Sequence, residues 1–175
     1  MRSLILLFGS SLIISQVLAG AAGFILLCGH QKDRVLMLKD KRGFWDVPFG
    51  GRDRGESVWE AATREFHEET GIRLPEDFEH IKATRRSRRI SSSKNRLDIG
   101  GGSWYYVGWV PTCDFERYGM REDHGIDTYY NKECDKWDTP TVAELWDGSY
   151  QRTKVRSIAK TALKYADRYG FLDHL

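Results

Sequence analysis

From Gly50 to Ile72 the chain reads GGRDRGESVWEAATREFHEETGI, with Glu56, Glu60, Glu65, Glu68 and Glu69 crowded next to a glycine pair. Like charges three or four residues apart on a helix repel by roughly 0.2–0.5 kcal/mol per pair. If a helix begins at Ser57, Glu65 lies three residues before Glu68 and four before Glu69, so all three project from one side. Three carboxylates that close cannot all remain ionised cheaply without a cation. Carboxylate oxygens are hard ligands, and they suit Mg²⁺, with Mn²⁺ as the second choice. The competing reading is a solvated acidic face balanced by Arg64 and by lysines elsewhere.

The elements that must position these residues are legible around them. Ser57 with Glu60 three residues on is a capping box, and Gly71 supplies a stop, so a helix is predicted from Ser57 to about Thr70. Val58, Ala62 and Phe66 recur on another face and should pack on a sheet. Upstream, AGFILLC (Ala22–Cys28) and DRVLMLKD (Asp33–Asp40) read as strands, and KRGFWDVPFGG (Lys41–Gly51) reads as a loop. Downstream, a strand near His80, a basic polar loop and a strand from Trp104 to Val110 are expected, then a long loop over residues 111–132. Lys132–Asp138 reads as a further strand, TPTVAELWD as a helical turn after Pro140, and Gln151–Tyr169 as a helix. Neither repeats nor an interdomain linker interrupt this order.

The glutamate segment resembles the signature of the Nudix hydrolases, G-x5-E-x7-R-E-U-x-E-E-x-G-U, where U is a bulky apolar residue. Gly50, Glu56, Arg64, Glu65, Glu68, Glu69 and Gly71 meet every fixed position, and Phe66 and Ile72 meet the apolar ones. At ordinary residue frequencies, chance gives such a match on the order of once in 10⁸ windows. AAGFILL, VLMLK, FWDVPFGG and ECDKWDTPTVAEL look like further family segments. Phe49 departs from the pattern, because many members carry a glycine there after the proline.

The resemblance implies an α/β fold, an α/β/α sandwich with a mixed sheet and a loop–helix–loop motif, over residues 20–175. It also implies hydrolysis of a nucleoside diphosphate linked to another group, a small phosphoanhydride substrate or a capped RNA. Glu65, Glu68, Glu69 and the backbone of Gly50 would hold Mg²⁺. Gly50 would owe its place to the unusual φ/ψ that glycine permits. A charge-assisted pair between Arg64 and Glu56 would orient the constellation. Glu65 and Glu69 would carry the chemistry, with Glu69 as general base. Glu133 is the rival base or a fourth ligand, and Asp123 and His124 are weaker candidates. The alternative is a catalytically inactive member that binds a nucleotide or RNA.

The remaining features bear on substrate and compartment. RRSRRISSSKNR (Arg85–Arg96) concentrates positive charge, and Arg85, Arg86, Arg88 and Arg89 could contact substrate phosphates. Trp45 could stack on a base, as could Phe44, Trp104 and Tyr105. The formal charge of the 175 residues is only +2, which argues against a general nucleic-acid coat protein. Cys28, Cys113 and Cys134 lack zinc spacing and read as buried or free thiols, while an oxidising compartment would allow a Cys113–Cys134 bridge. Residues 1–19 have the three regions of a signal peptide in order, with Arg2 first and Ala19 last, and are long enough for an uncleaved membrane anchor. Secretion or membrane anchoring is therefore expected, with a cytoplasmic protein as the alternative.

Overall fold

The computed structural model describes residues 20–120, 134–150 and 154–173. Residues 1–19, expected to be a signal peptide or anchor, and Asp123, His124 and Glu133 lie outside the described residues. Strand β1 (Ala21–Cys28) is the spine, buried from Ala22 onward. A run apolar on both faces suits a strand covered from both sides. Its alternation sorts the two cores. Phe24, Leu26 and Cys28 pack with Ala61, Ala62 and Phe66 of helix α1 (Val58–Thr70). Ile25 and Leu27 pack with Ala159, Ala162, Leu163 and Ala166 of a C-terminal helix, Ser157–Arg168.

Among the described residues β1 lies in a six-stranded mixed sheet. Two short strands pair antiparallel with its ends, β2 (Arg34–Val35) at Leu27–Cys28 and Phe49–Gly51 at Ala21–Gly23. On its other side runs Ser103–Val110, parallel, with Phe24 opposite Tyr106. That strand in turn pairs with Glu79–His80 and Arg96–Gly100. A second, antiparallel sheet joins β3 (Met37–Asp40) to β4 (Trp45–Asp46) and to Cys134–Asp138. In chain order the remaining strands are β5 (Phe49–Gly51), β6 (Glu79–His80), β7 (Arg96–Gly100), β8 (Ser103–Val110) and β9 (Cys134–Asp138), and the later helices are α2 (Val142–Asp147) and α3 (Ser157–Arg168). With α1 and α3 on opposite faces, the architecture is an α/β/α sandwich. No helix among the described residues is long and apolar enough to cross a membrane.

Four local expectations change. The strand predicted over Asp33–Asp40 is split at Leu36, and its halves belong to different sheets. Val35 to Leu38 are all buried, so no alternation marks the switch. The predicted loop Lys41–Gly51 contains β4 and β5, because tertiary partners recruit short segments of weak propensity. Within the expected basic loop, Arg96–Gly100 forms β7, which three glycines of positive φ, Gly100 to Gly102, turn into β8. The last helix begins at Ser157, because Trp45 engages the preceding backbone, donating to Lys154 and accepting from Arg156.

The cysteine expectation is also corrected. Cys28 is bonded to Cys113, with Cα atoms 5.0 Å apart, and Cys134 is buried and not disulfide-bonded. Parallel pairing explains this: Cys28 stands opposite Val110, and the chain leaving β8 carries Cys113 back to it. Cys134 lies in the other sheet, opposite Asp40.

Candidate active site

Two elements build the site, and both have local causes. In α1 the Ser57 hydroxyl accepts from the Glu60 amide at 3.2 Å, and the Glu60 carboxylate accepts from the Ser57 amide at 2.8 Å. Gly71 ends the helix at φ 71°, donating to the His67 carbonyl. Strand β5, held by Ala22 opposite Gly50, runs beside it. Gly50 does not adopt a positive φ, which corrects the conformational role expected of it. Its role is space, because a β-carbon there would fall 2.1 Å from the Glu65 carboxylate.

Arg64 organises the acidic residues. Its Nε donates to Glu56 at 2.9 Å, and Nη1 donates to Glu65 at 2.8 Å and to Glu68 at 3.0 Å. Nη2 reaches Glu56 at 3.0 Å and the Gly51 carbonyl at 2.7 Å, tying helix to strand. The Arg64 hydrogen bond holds the Glu56 carboxyl below its ordinary range, and the same bond raises Arg64. Glu69 accepts from the Phe49 amide at 2.9 Å.

Glu65, Glu68 and Glu69 therefore lie on one side of α1 without converging on one point. No group of three or more His, Cys, Asp or Glu among the described residues is arranged to hold a metal ion. The guanidinium supplies the positive charge that their crowding demands. The donor set nevertheless fits a hard divalent ion, because Glu65 and Glu68 already present carboxylate oxygens to a single cationic nitrogen.

Next to Glu69 opens a cleft of about 560 Å³, walled by Asp40, Phe44, Asp46, Phe49 and Arg156 among others. Arg156 bonds to Asp40, stands 3.7 Å from Asp46 and lies over the Phe44 ring. Burial pushes the Asp46 carboxyl up to about 7. Tyr105, beneath stacked Phe49, is fully buried, and its hydroxyl has no hydrogen-bond partner among the described residues. Burial raises the Tyr105 pKa, and the charges of Asp46 and Glu69 raise it further.

Asp46 carries a pH prediction. Its folded pKa exceeds the unfolded value of 3.8, so ionising it costs stability that is intact at low pH and falls away as pH rises towards 7. Asp46→Asn should therefore gain in unfolding midpoint relative to wild type on going from pH 4 to pH 8. A difference between the two proteins that does not vary with pH would overturn this.

The other expected substrate residues are dispersed. Trp45 is 6% exposed and packs on Tyr150, so it is core and offers no stacking face; Phe44, 41% exposed, lines the cleft together with Phe49. Trp104 lies under Arg96. Arg85 and Arg89 are engaged by the fold, and Arg85, Arg86 and Arg88 line a different cavity. Sequence reasoning missed Asp46 and Arg156. A carboxylate between Trp45 and Pro48 was a signal for the first, whereas only the fold brings Arg156 to it.

Comparison with known proteins identifies the family and the fold. The family model described as NUDIX domain matches residues 17–155. An RNA pyrophosphohydrolase of Rhodopseudomonas palustris (strain HaA2) is 34% identical over 68 residues, covering 39% of this chain and 40% of that protein. The uncharacterized Nudix hydrolase YvcI of Bacillus subtilis (strain 168) is 51% identical over 41 residues, 23% of this chain and 26% of that protein. The matches thus span less than half the length of these relatives. The crystal structure of a Nudix hydrolase of M. smegmatis, RenU, superposes with a TM-score of 0.53 at 17% identity, covering 86% of this chain and 84% of that one, which shows a shared fold. With the family match running through both the loop of Gly50 and the helix of Arg64, the chain belongs to the Nudix family.

Proposed function

We infer that the protein is a Mg²⁺-dependent pyrophosphohydrolase, with Mn²⁺ as a substitute, acting on nucleoside diphosphates linked to another group. The observation that carries this reading is the Arg64 bracket, which holds Glu56, Glu65 and Glu68 against β5 while Gly50 leaves room for the Glu65 carboxylate. A divalent ion held by Glu65, Glu68 and Glu69 would neutralise charge on the pyrophosphate oxygens and acidify the attacking water. The chain's own residues supply the rest. Arg64 and Glu56 fix the helix face against the loop, and the Phe49 amide orients Glu69 at the mouth of the cleft. Glu69 takes the proton as water forms its bond to phosphorus and the bridging P–O bond breaks. Glu133 is the second candidate for that role.

Similarity to RNA pyrophosphohydrolases supports the phosphorylated 5′ end of RNA among the substrates. The Cys28–Cys113 bridge supports action in an oxidising compartment, as does the signal-like segment before Gly20.

The test is phosphate and pyrophosphate release by the full chain with Mg²⁺. Its panel holds nucleoside triphosphates, dinucleoside polyphosphates, nucleotide sugars and 5′-capped or triphosphorylated RNA. Glu69→Gln should lower turnover of the best substrate by about 10²–10⁴-fold. Undiminished release by that variant would remove Glu69 from the chemistry.

A further inference from the structure

The basic stretch forms a cavity of about 480 Å³, separate from the active-site cleft, whose wall holds Arg85, Arg86, Arg88, Lys94 and serine hydroxyls but no carboxylate. Two arginines of this stretch serve the fold. Arg85 bonds to the Arg168 carbonyl and to Asp173, and Arg89 bonds to the Asp98 carbonyl and covers the Tyr165 ring. Arg86 and Arg88 are exposed, and like Lys94 they have no acidic partner among the described residues.

This cation array is pinned. Ile90 donates to Ser87, Lys94 to Ser91, Ala83 to Lys94, Ser91 to Arg96 and Asp98 to Arg89, all through backbone atoms. Lys94 adopts φ 60°, a left-handed conformation costly for a residue with a side chain, which persists where the surrounding structure over-determines the backbone. A fixed cluster of like charges without a counter-charge is the electrostatic complement of a polyanion, and the guanidinium fork matches phosphate oxygens.

The sheet sets its distance from the active site. Gly50 is on β5, which pairs with β1, then β8, then β7, whose leading end carries the basic loop. Three strand spacings are about 14 Å. A ligand that touches both sites must therefore carry phosphates well beyond the scissile one.

We propose that the cavity of Arg86, Arg88 and Lys94 holds the backbone phosphates of a single-stranded nucleic acid whose 5′-terminal pyrophosphate lies against the Arg64–Glu65 site. This rests on the hydrolase reading above and names the substrate class that would use it.

Binding is measured apart from turnover, by fluorescence anisotropy of the full chain with a 3′-labelled, 5′-monophosphate RNA of about ten nucleotides in EDTA. Arg86→Ala/Arg88→Ala should weaken binding about tenfold or more and reduce the salt slope by about 1.4, at 0.7 per phosphate contact. Lys94→Asn, which tolerates the left-handed backbone, should act in the same direction. Turnover of a nucleoside triphosphate should be unchanged in the double variant, while KM for triphosphorylated RNA rises. Equal affinity and slope in wild type and double variant would overturn the proposal. So would full displacement of the RNA by equimolar inorganic tripolyphosphate, which would make the site one for free polyphosphate. If the RNA binds through the loop but is never hydrolysed, the hydrolase reading fails and the loop assignment stands.

Discussion

Gly50→Ala is expected to lower turnover by about a hundredfold or more, because a misplacement of the order of 1 Å is enough to do so at a reacting centre. The added β-carbon would fall 2.1 Å from Glu65 Cδ and Oε2, and the movable partner is the end of a flexible side chain. The backbone therefore stays and the carboxylate leaves. Glu65 would be driven off the Arg64 Nη1 that it shares with Glu68. Stability should change by less than about 1 kcal/mol, since Gly50 has no positive φ to lose and alanine is the easier strand residue. Gly51→Ala places its methyl in open space and should cost far less activity. Parallel kcat and urea-denaturation measurements separate the cases. Wild-type turnover in Gly50→Ala, or unfolding in step with its loss, would sink the spatial role given to this glycine.

Breaking Cys28–Cys113 should have the largest effect on stability. The bridge closes a loop with a sequence separation of 85 residues. In the chain-entropy account a loop of that size contributes about 4–5 kcal/mol through the unfolded state. Cys28 is also fully buried at the end of β1, so the bond lies where the sheet's one parallel pairing among the described residues ends. Cys28→Ala/Cys113→Ala should lower the urea midpoint by about 2 M, taking a slope of about 2 kcal/mol/M. Reductant should reproduce that drop in wild type and leave the double variant unmoved. Cys134→Ala should keep the full difference between oxidised and reduced protein, because Cys134 lies in the other sheet and takes no part in the disulfide. Equal midpoints in the presence and absence of reductant would show that the bridge contributes nothing.

What could be read from the sequence was what local rules determine. The helix of the site carries its own boundaries, with Ser57 and Glu60 closing one end and Gly71 the other, and Arg64 faces Glu68 because helical residues four apart are neighbours. β1 was readable because an unbroken apolar run of that length has few other uses. What escaped depended on partners far along the chain. Leu36 marks a change of sheet that no alternation records. Trp45 looks like a stacking surface until Tyr150 and Val155 arrive to bury it. Arg156 reaches Asp40 and Asp46 across more than a hundred residues, so no spacing rule could link them. The bridge to Cys113 required knowing that β1 and β8 run parallel. The glutamates were legible as a constellation, but the guanidinium holds Glu56, Glu65 and Glu68 while the Phe49 amide holds Glu69.

The central parallel pair also sets a timetable. β1 leaves the ribosome before its partner, apolar on both faces, and β8 follows only about 80 residues later, roughly 4–16 s at ordinary translation rates. Pairings this distant in sequence raise contact order and slow the search for the native state. For those seconds β2, β5 and α1 can cover one edge and one face of the strand, while the edge that awaits β8 stays open, a natural client for a chaperone. The Cys28–Cys113 bond can form only after β8 has emerged, so oxidation would report completion of the sheet.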